Sequence, residues 1–145
     1  MATRTARTAW DGGLMDGSGQ VELSSSGVGT YPVSFPRRTA DDAEGITSPE
    51  ELIAAAHSSC YAMQLSAVIA EAGGTPHSLE VTADVTLSPD TKGLRISGIR
   101  LTVRGEVEGL DADGFARAAQ DAKDTCPVSK ALTGTTITLD AALVD

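Results

Sequence analysis

The sequence predicts an α+β fold in which a largely antiparallel sheet accompanies one buried central helix and a second helix. Strand-like runs come in blocks before and between the helical segments, rather than alternating with helices one by one. A long stretch that begins at Ser48 is apolar around most of its helical circumference. The chain has 145 residues, of which 41% are hydrophobic, so we expect a single domain over residues 1–145.

Charge and composition exclude several classes of partner. Twenty acidic residues against eleven basic ones give a net charge of -9, which argues against nucleic acid and anionic membranes as partners. No run reaches the roughly 18 consecutive apolar residues of a membrane span, and the N-terminal "MATRTARTAWDGG" lacks the apolar run of a secretory signal. We therefore expect a cytoplasmic protein, whose two cysteines are reduced and are either inert or used chemically.

The N-terminal third is predicted to form short strands. Three strand-like runs, "RTARTAW", "QVELSS" and "TYPVSF", are separated by the glycine-containing segments "DGGLMDGSG" and "SGVG". The polar stretch "PRRTADDAEGIT" follows them and is predicted to be a loop that carries Arg37 and Arg38.

The central helix has clear start and stop signals. Ser48 is a suitable N-cap, Pro49 fits the first helical position, and Glu51 completes a capping box with Ser48. The helix is expected to run to about Ala72, before a pair of glycines. Because apolar residues cover most of its surface, we predict a central helix buried on all sides, which makes a dimer plausible.

The remaining elements follow from periodicity. "LEVTADVTL" alternates as a half-buried strand, "SPDTKG" is a turn, and "LRISGIRLTVRGEVEG" is a second strand. The alternation of that second strand shifts across Gly98, which indicates a β-bulge. "DADGFARAAQDAKDT" is predicted to be an amphipathic helix, "VSKALTG" a further helical turn, and "TTITLDAALV" the final strand.

The two cysteines allow two interpretations. Cys60 lies in the middle of the central helix, where a free cysteine is commonly a small buried hydrophobe. Cys126 lies sixty-six residues later, at a helix boundary before a proline, where such packing is less typical. One deep thiol and one thiol at a corner also suit a pair that forms a disulfide during turnover. The sequence leaves open whether the two meet.

A reactive thiol needs a lowered pKa, and Cys60 lies too far along its helix for the dipole to supply it. Arg37 or Arg38 is the candidate cation, although loop arginines are also ordinary surface charges. Glu50 or Glu51 could hold a buried guanidinium, or could simply favour the helix dipole. Glu50 and Cys60 lie roughly 15 Å apart along one helix. Arg38 therefore either bridges part of that gap or serves Cys60 of a second subunit.

A zinc site is a weaker interpretation. His57, His77 and the two cysteines could be imagined as ligands, but the chain contains no CxxC or HxxxH pair. We therefore predict a non-metal role for both histidines.

Two segments carry a family resemblance. "SPEELIAAAHSSCYAM" and "CPVSKAL" resemble the two signature segments of the OsmC/Ohr family of thiol peroxidases, in the family's order and at its separation. The similarity extends over essentially the whole chain. It is closer to the OsmC branch, because the arginines of "SFPRRTAD" lie just before the central helix, whereas the Ohr branch has its arginine near the N-terminus.

The resemblance implies an intertwined homodimer that reduces organic hydroperoxides as its main substrates and hydrogen peroxide as a secondary substrate. Cys60 matches the peroxidatic cysteine, which becomes a sulfenic acid, and Cys126 matches the resolving cysteine, which forms a disulfide with it. Arg38 matches the activating arginine and Glu50 the carboxylate that orients it. The segment Pro36–Thr39 departs from the family pattern of one arginine followed by an aromatic residue, which leaves Arg37 as a possible substitute.

The resemblance also implies a physiological setting. An external dithiol of unknown identity, such as a lipoyl protein, thioredoxin or a small thiol, would restore the reduced enzyme. The role would be defence against oxidative or osmotic stress. The alternative is a small-molecule-binding or structural protein of the same fold with non-catalytic cysteines.

Overall fold

The computed structural model describes residues 1–144. The chain divides into two compact units, Met1–Leu52 and a second unit from Ile53 onward. Each unit contains one three-stranded sheet, and helices lie between the strands in sequence. The predicted α+β class is confirmed, whereas the single domain over residues 1–145 stays a prediction.

The N-terminal unit contains the three predicted strands in shorter form. They are β1 (Arg7–Asp11), β2 (Ser18–Glu22) and β3 (Thr30–Val33). The strands are antiparallel and follow their sequence order, with β2 in the centre. Val21 on β2 is the buried hydrophobic residue of this small antiparallel sheet.

The polar stretch after β3 is not all loop, and here the sequence-based prediction is wrong. Helix α1 (Phe35–Arg38) forms one helical turn. The Ser34 hydroxyl accepts a hydrogen bond from the Arg37 backbone N–H at 3.3 Å, and Pro36 lies in the first turn, where its missing N–H costs nothing. This local cap fixes the backbone that presents Arg38.

Helix α2 (Pro49–Glu71) begins and ends close to the predicted residues. The Ser48 hydroxyl accepts a hydrogen bond from the Glu51 backbone N–H at 3.2 Å, as expected of an N-cap. The helix ends before Gly73, whose φ of +88° is the left-handed conformation that glycine adopts at helix ends.

Only one face of α2 is buried within the chain, so burial on all sides would need a second copy of the chain and stays a prediction. From His57 onward, the buried residues of α2 recur every fourth position: they are His57, Tyr61, Leu65 and Ile69. On another face, Met63 is 70% exposed. The exposed side of α2 also carries apolar residues, so the sequence of the helix is apolar around most of its circumference.

Helix α2 also has the length and apolarity of a membrane-spanning helix. It has 23 residues, and its most apolar window has a mean hydropathy of 1.3. The core helix of a soluble protein meets the same criteria, and α2 contributes Tyr61, Leu65 and Ile69 to the core of the second unit. The property is therefore a weak indication of a span.

The sheet of the second unit is built on a long hairpin. Strand β4 (Thr75–Asp90) pairs antiparallel with β5 (Gly93–Glu108), and the connecting turn is shorter than predicted. Strand β6 (Thr136–Leu143) pairs with the other edge of β5 in parallel orientation. The sheet is thus largely antiparallel with one parallel pair.

The predicted bulge is present in this hairpin. Thr86 is paired with Gly98, whereas the next residue, Leu87, is paired with Ile96. Ser97 is therefore the extra residue on β5, which shifts its alternation by one position.

Two helices complete the second unit, α3 (Ala112–Thr125) and α4 (Pro127–Ala131). Asp111 caps α3 by accepting a hydrogen bond from the Gly114 backbone N–H at 2.7 Å. Residues of α2, β5 and α3 form one buried core: they include Tyr61, Leu65, Ile69, Leu101, Val103, Phe115, Ala118, Ala119 and Ala122. Cys126, between α3 and α4, belongs to the same core.

Candidate active site

The two cysteines lie side by side in the second unit. The Sγ atoms of Cys60 and Cys126 are 3.3 Å apart, and both thiols are free. Cys60 is half-buried, whereas Cys126 is fully buried. A small movement would bring the two sulfur atoms to bonding distance, so the pair can form a disulfide without refolding.

The corner between α3 and α4 holds Cys126 in place. Its backbone N–H donates to the Ala122 carbonyl at 2.8 Å and so ends α3. Pro127 then starts α4, which restricts the backbone at the corner. Gln64 on α2 donates to the Thr125 hydroxyl at 3.0 Å, which ties the end of α3 to the helix that carries Cys60.

The surroundings of the two thiols shift their pKa values in opposite directions. Burial raises the pKa of Cys60, the Val128 backbone N–H acts against this, and the neighbouring Cys126 raises it further. Burial also opposes ionisation of Cys126, but the Ser129 backbone N–H, the Cys60 thiol and the Ser129 hydroxyl together hold its pKa below the usual value.

A buried histidine and serine adjoin the thiol pair. His57 Nε2 lies 2.7 Å from Ser129 Oγ, and both side chains are buried. Among the described residues, His57 Nδ1 is buried without a hydrogen-bond partner. Burial lowers the pKa of His57, so the imidazole is neutral near pH 7.

Sequence reasoning assigned no role to this His57–Ser129 pair. The signal was the spacing: His57 is three residues before Cys60, and Ser129 is three residues after Cys126. Residues three apart share one face of a helical turn, so His57 and Cys60 lie on one face of α2. Ser129 lies in the first turn of α4, just after Cys126.

Arg37 and Arg38 form ion pairs with two different carboxylates in the N-terminal unit. Arg38 Nε lies 3.1 and 3.2 Å from the two Glu50 oxygens, and its Nη2 lies 2.8 Å from Oε1. Glu50 is only 7% exposed. Arg37 Nη2 instead lies 2.8 Å from Glu44 Oε2, in a surface ion pair. The carboxylate at the start of α2 therefore pairs with Arg38.

An apolar cavity of about 560 Å³ lies in the N-terminal unit next to Arg38. Its lining combines residues of the sheet with residues of α1 and the start of α2: Thr8, Trp10, Leu14, Val21, Val33, Ser34, Phe35, Arg38, Pro49 and Leu52. Arg38 is the charged residue of this lining, so the cavity joins an apolar wall to one guanidinium group.

The other candidate residues do not assemble into a metal site. His77 is exposed on β4, where its Nε2 lies 3.1 Å from Glu108 Oε2. Within residues 1–144, no group of three or more His, Cys, Asp or Glu side chains is arranged to hold a metal ion. The Tyr61 hydroxyl donates to the Ala119 carbonyl at 2.9 Å, so this tyrosine is a core residue.

The sequence matches one family model, that of the OsmC-like proteins, over residues 41–140. The match includes both cysteines and Glu50, whereas Arg37 and Arg38 precede it.

Curated relatives and solved structures agree with that match. The chain is 42% identical over 131 residues to peroxiredoxin OsmC of Escherichia coli K12, which covers 90% of each chain. It is 33% identical to the organic hydroperoxide resistance protein OhrA of Bacillus subtilis 168, covering 83% of this chain and 85% of the relative. An organic hydroperoxide resistance protein from Elizabethkingia anophelis superposes with a TM-score of 0.80 at 25% identity, covering 99% and 98% of the two chains.

Proposed function

The chain belongs to the OsmC family, and from this premise we propose that it is a thiol-dependent peroxidase that reduces organic hydroperoxides. The observation that carries the proposal is the 3.3 Å separation of the Cys60 and Cys126 sulfur atoms. Two thiols within reach of a disulfide can give two electrons to a substrate and take two electrons back from an external dithiol.

The proposed reaction has three steps. The Cys60 thiolate attacks the distal oxygen of the hydroperoxide, the O–O bond breaks, and the alkoxide takes a proton and leaves as an alcohol. Cys60 is now a sulfenic acid, whose sulfur is attacked by Cys126; the S–O bond breaks and water leaves. An external dithiol then reduces the disulfide and is itself oxidised to a disulfide.

Cys60 needs a cation for the first step, because burial raises its pKa within its own unit. We assign this role to Arg38, which Glu50 holds through its Nε and Nη2 side, so that the Nη1 edge would meet the peroxide. Arg38 serves Cys60 either of its own chain or of the second subunit of a homodimer. The homodimer is itself part of this proposal.

The cavity beside Arg38 supports organic hydroperoxides as the preferred substrates. An alkyl hydroperoxide has an apolar tail and a polar O–O group, which match the apolar wall and the guanidinium of this cavity. Hydrogen peroxide has no tail and gains nothing from that wall, so we expect it to be the poorer substrate.

We further propose that the protein works in the cytoplasm, in defence against oxidative or osmotic stress. A reducing compartment keeps both thiols ready for reaction between turnovers. A dithiol reductant completes the cycle, and the proposed chemistry needs no metal or cofactor.

A single-turnover experiment tests the proposal. One equivalent of cumene hydroperoxide or hydrogen peroxide is added to the pre-reduced protein, and free thiols and intact mass are followed in time. We expect rapid loss of both thiols and of two hydrogens, faster with cumene hydroperoxide. Thiols that react no faster than free cysteine would show instead that the fold serves binding and that the cysteines are silent.

Cysteine variants separate the two roles. We expect Cys60→Ser to abolish turnover, because the nucleophile is lost. Cys126→Ser should permit one oxidation of Cys60 and then stop at the sulfenic or an overoxidised acid, which mass spectrometry detects. An unchanged steady-state rate in Cys126→Ser would contradict the resolving role.

A further inference from the structure

Three side-chain contacts join α2 to the corner between α3 and α4, and the thiol contact is the middle one. In reverse order along α2, the contacts are Gln64 Nε2 with Thr125 Oγ1 at 3.0 Å, Cys60 Sγ with Cys126 Sγ at 3.3 Å, and His57 Nε2 with Ser129 Oγ at 2.7 Å. Their α2 members are three or four residues apart, so they lie on one face of the helix. A hydrogen bond therefore flanks the thiol pair on either side.

The hydrogen bond between Gln64 and Thr125 has a defined direction. The Thr125 hydroxyl lies 2.7 Å from the Asp121 carbonyl oxygen. A carbonyl oxygen only accepts, so the single hydroxyl hydrogen points to Asp121, and Thr125 Oγ1 accepts from the Gln64 amide. Gln64 thus holds the last residue of α3, which is the residue directly before Cys126.

The contact on the other side of the thiol pair is buried. His57 is 0% exposed and Ser129 is 5% exposed. A buried polar contact is costly to break, because water does not replace the lost partner. This contact joins α2 to the first turn of α4, three residues after Cys126.

The thiol contact needs support from its neighbours. A thiol is a weak hydrogen-bond donor and a weak acceptor, so the contact between Cys60 and Cys126 contributes little by itself. A disulfide requires the sulfur atoms to approach from 3.3 Å to about 2.05 Å. Groups that already hold the corner against α2 reduce the entropy that is lost when this bond forms.

We propose that the residues of the two flanking hydrogen bonds are positioning residues, which keep Cys126 within disulfide reach of Cys60 in the reduced protein. The two hydrogen bonds, which we call the corner clamp, are Gln64–Thr125 and His57–Ser129. The effect of the corner clamp on turnover rests on the proposed function, whereas its effect on the disulfide equilibrium does not.

In the proposed cycle, the corner clamp acts on resolution. The Cys126 thiol gives up its proton, and its sulfur attacks the sulfenic sulfur of Cys60. The S–S bond forms, the S–O bond breaks, and the leaving hydroxide takes up the proton as water. Fast resolution leaves the sulfenic acid little time to react with a second hydroperoxide, which would convert it to sulfinic acid and release an alcohol.

The first test is the disulfide equilibrium of the two-cysteine protein in dithiothreitol buffers of known reduced-to-oxidised ratio. Alkylation and intact mass give the fraction with a disulfide. We expect Gln64→Met, which keeps the length of the side chain but removes the amide, to lower the equilibrium constant for disulfide formation about threefold or more, the effect of one lost hydrogen bond.

Gln120→Met is the matched control for this variant. Gln120 donates to Asp124 within α3 at 3.0 Å, so the same substitution there removes a hydrogen bond that does not reach α2. We expect the disulfide equilibrium of Gln120→Met to equal that of the wild type. Equal equilibrium constants in Gln64→Met and Gln120→Met would overturn the inference.

Variants of Thr125 test whether the hydrogen bond itself carries the effect. Thr125→Val removes the hydroxyl at similar volume and should match Gln64→Met, whereas Thr125→Ser keeps the hydroxyl and should restore the wild-type equilibrium. The double variant should fall no further than either single variant, because both remove the same hydrogen bond. Additive losses would show that the two side chains act separately, which contradicts the clamp.

A comparison with Tyr61→Phe separates loss of position from general loosening of the core. The Tyr61 hydroxyl donates to the Ala119 carbonyl at 2.9 Å, so it also joins α2 to α3, but about two helical turns before Cys126. We expect Tyr61→Phe to be less stable to urea with its disulfide equilibrium unchanged. A fall in that equilibrium as large as in Gln64→Met would overturn the inference.

Ser129→Ala tests the buried half of the corner clamp. It removes the partner of His57, and we expect a fall in the equilibrium constant at least as large as in Gln64→Met, because the lost contact is buried. An unchanged equilibrium in the folded variant would contradict the role of His57 and Ser129. If Ser129→Ala fails to fold, the variants of Gln64 and Thr125 decide the matter, because Thr125 is exposed and Gln64 is only half-buried.

Resolution kinetics connect the corner clamp with catalysis. In Gln64→Met, oxidation of Cys60 by hydroperoxide should keep its rate, disulfide formation should slow about threefold or more, and excess hydroperoxide should yield more sulfinic acid. A lowered disulfide equilibrium in Gln64→Met, in a protein inert to hydroperoxide, would leave the inference standing and reject the proposed function. Rapid hydroperoxide reduction with an unchanged equilibrium in Gln64→Met would do the reverse.

Discussion

Arg37 and Arg38 are neighbours in the chain, yet their guanidinium groups have different carboxylate partners. Arg38 binds the nearly buried Glu50 with two nitrogens, whereas Arg37 binds the exposed Glu44. A surface ion pair contributes little to stability, because solvent and salt screen it. At the scale of the residue, Arg38 is therefore the better candidate for activating a thiol.

We expect Arg38→Lys to slow the oxidation of Cys60 by about tenfold or more, since a one-unit rise in thiol pKa already removes about nine tenths of the thiolate. A lysine is a point charge and cannot reproduce the planar fork that binds Glu50. Arg37→Lys is the matched control and should change the rate little. Stopped-flow oxidation of Cys126→Ser variants measures the first step alone. A greater loss of rate in Arg37→Lys than in Arg38→Lys would assign the activating role to Arg37 instead.

His57 makes stability depend on pH. Burial lowers its pKa in the folded state below the usual 6.5, so the unfolded state binds a proton first as the pH falls. The neutral histidine makes its full contribution to the free energy of unfolding above about pH 6.5. This contribution is lost as the pH decreases toward the folded-state pKa.

We therefore expect the free energy of unfolding to fall as the pH decreases below about 6.5, and His57→Gln to reduce that slope. Urea denaturation at several pH values measures the wild type and His57→Gln. Parallel profiles for the wild type and His57→Gln would contradict the prediction.

At the scale of the element, β5 contains two glycines in different surroundings. A Cβ at Gly105 would lie 2.9 Å from the Phe115 ring and 3.0 Å from Leu79 Cδ2. A Cβ at Gly98, near the bulge, would meet the Thr136 carbonyl oxygen at an ordinary 3.7 Å. Gly105 thus lets the Phe115 ring of α3 approach the strand.

We expect Gly105→Ala to destabilise the protein by about 1–3 kcal/mol, since the Phe115 ring has to shift in a packed core. Gly98→Ala serves as the control on the same strand and should be tolerated. Thermal and chemical unfolding of both variants measure the difference. A Gly105→Ala protein as stable as Gly98→Ala would show that the ring moves without cost.

The whole molecule leaves an apolar face of α2 uncovered within one chain. His57, Tyr61, Leu65 and Ile69 are buried on one side, while Met63 is 70% exposed on another. A second copy of the chain is the partner that the proposed homodimer supplies for this face.

We expect twice the mass of one chain in solution, and Met63→Glu to shift the protein toward the monomer, because an unpaired carboxylate is costly to bury. Val28→Glu is the matched control, since Val28 is also 70% exposed but lies in the turn between β2 and β3. Light scattering after size-exclusion chromatography gives the masses over a range of concentrations. A monomeric wild type would contradict the homodimer.

Local signals in the sequence determined most of the elements. The Ser48 cap and the glycines after Ala72 bounded α2, alternation identified the long strands, and a shift in alternation located the bulge beside Gly98. These signals are local because caps, turns and strand periodicity depend on neighbouring residues. The same rules missed α1, where the Ser34 cap is followed by only one helical turn.

Only the tertiary structure decided which side chains meet. Cys60 and Cys126 are sixty-six residues apart, and His57 and Ser129 are seventy-two apart. Both contacts depend on how α3, α4 and α2 pack on one core, as does the parallel pairing of β6. The sequence named both thiols and the Arg38 and Glu50 pair through the family resemblance. It left Arg37 as a possible substitute for Arg38, because the sequence does not show which guanidinium reaches a buried carboxylate.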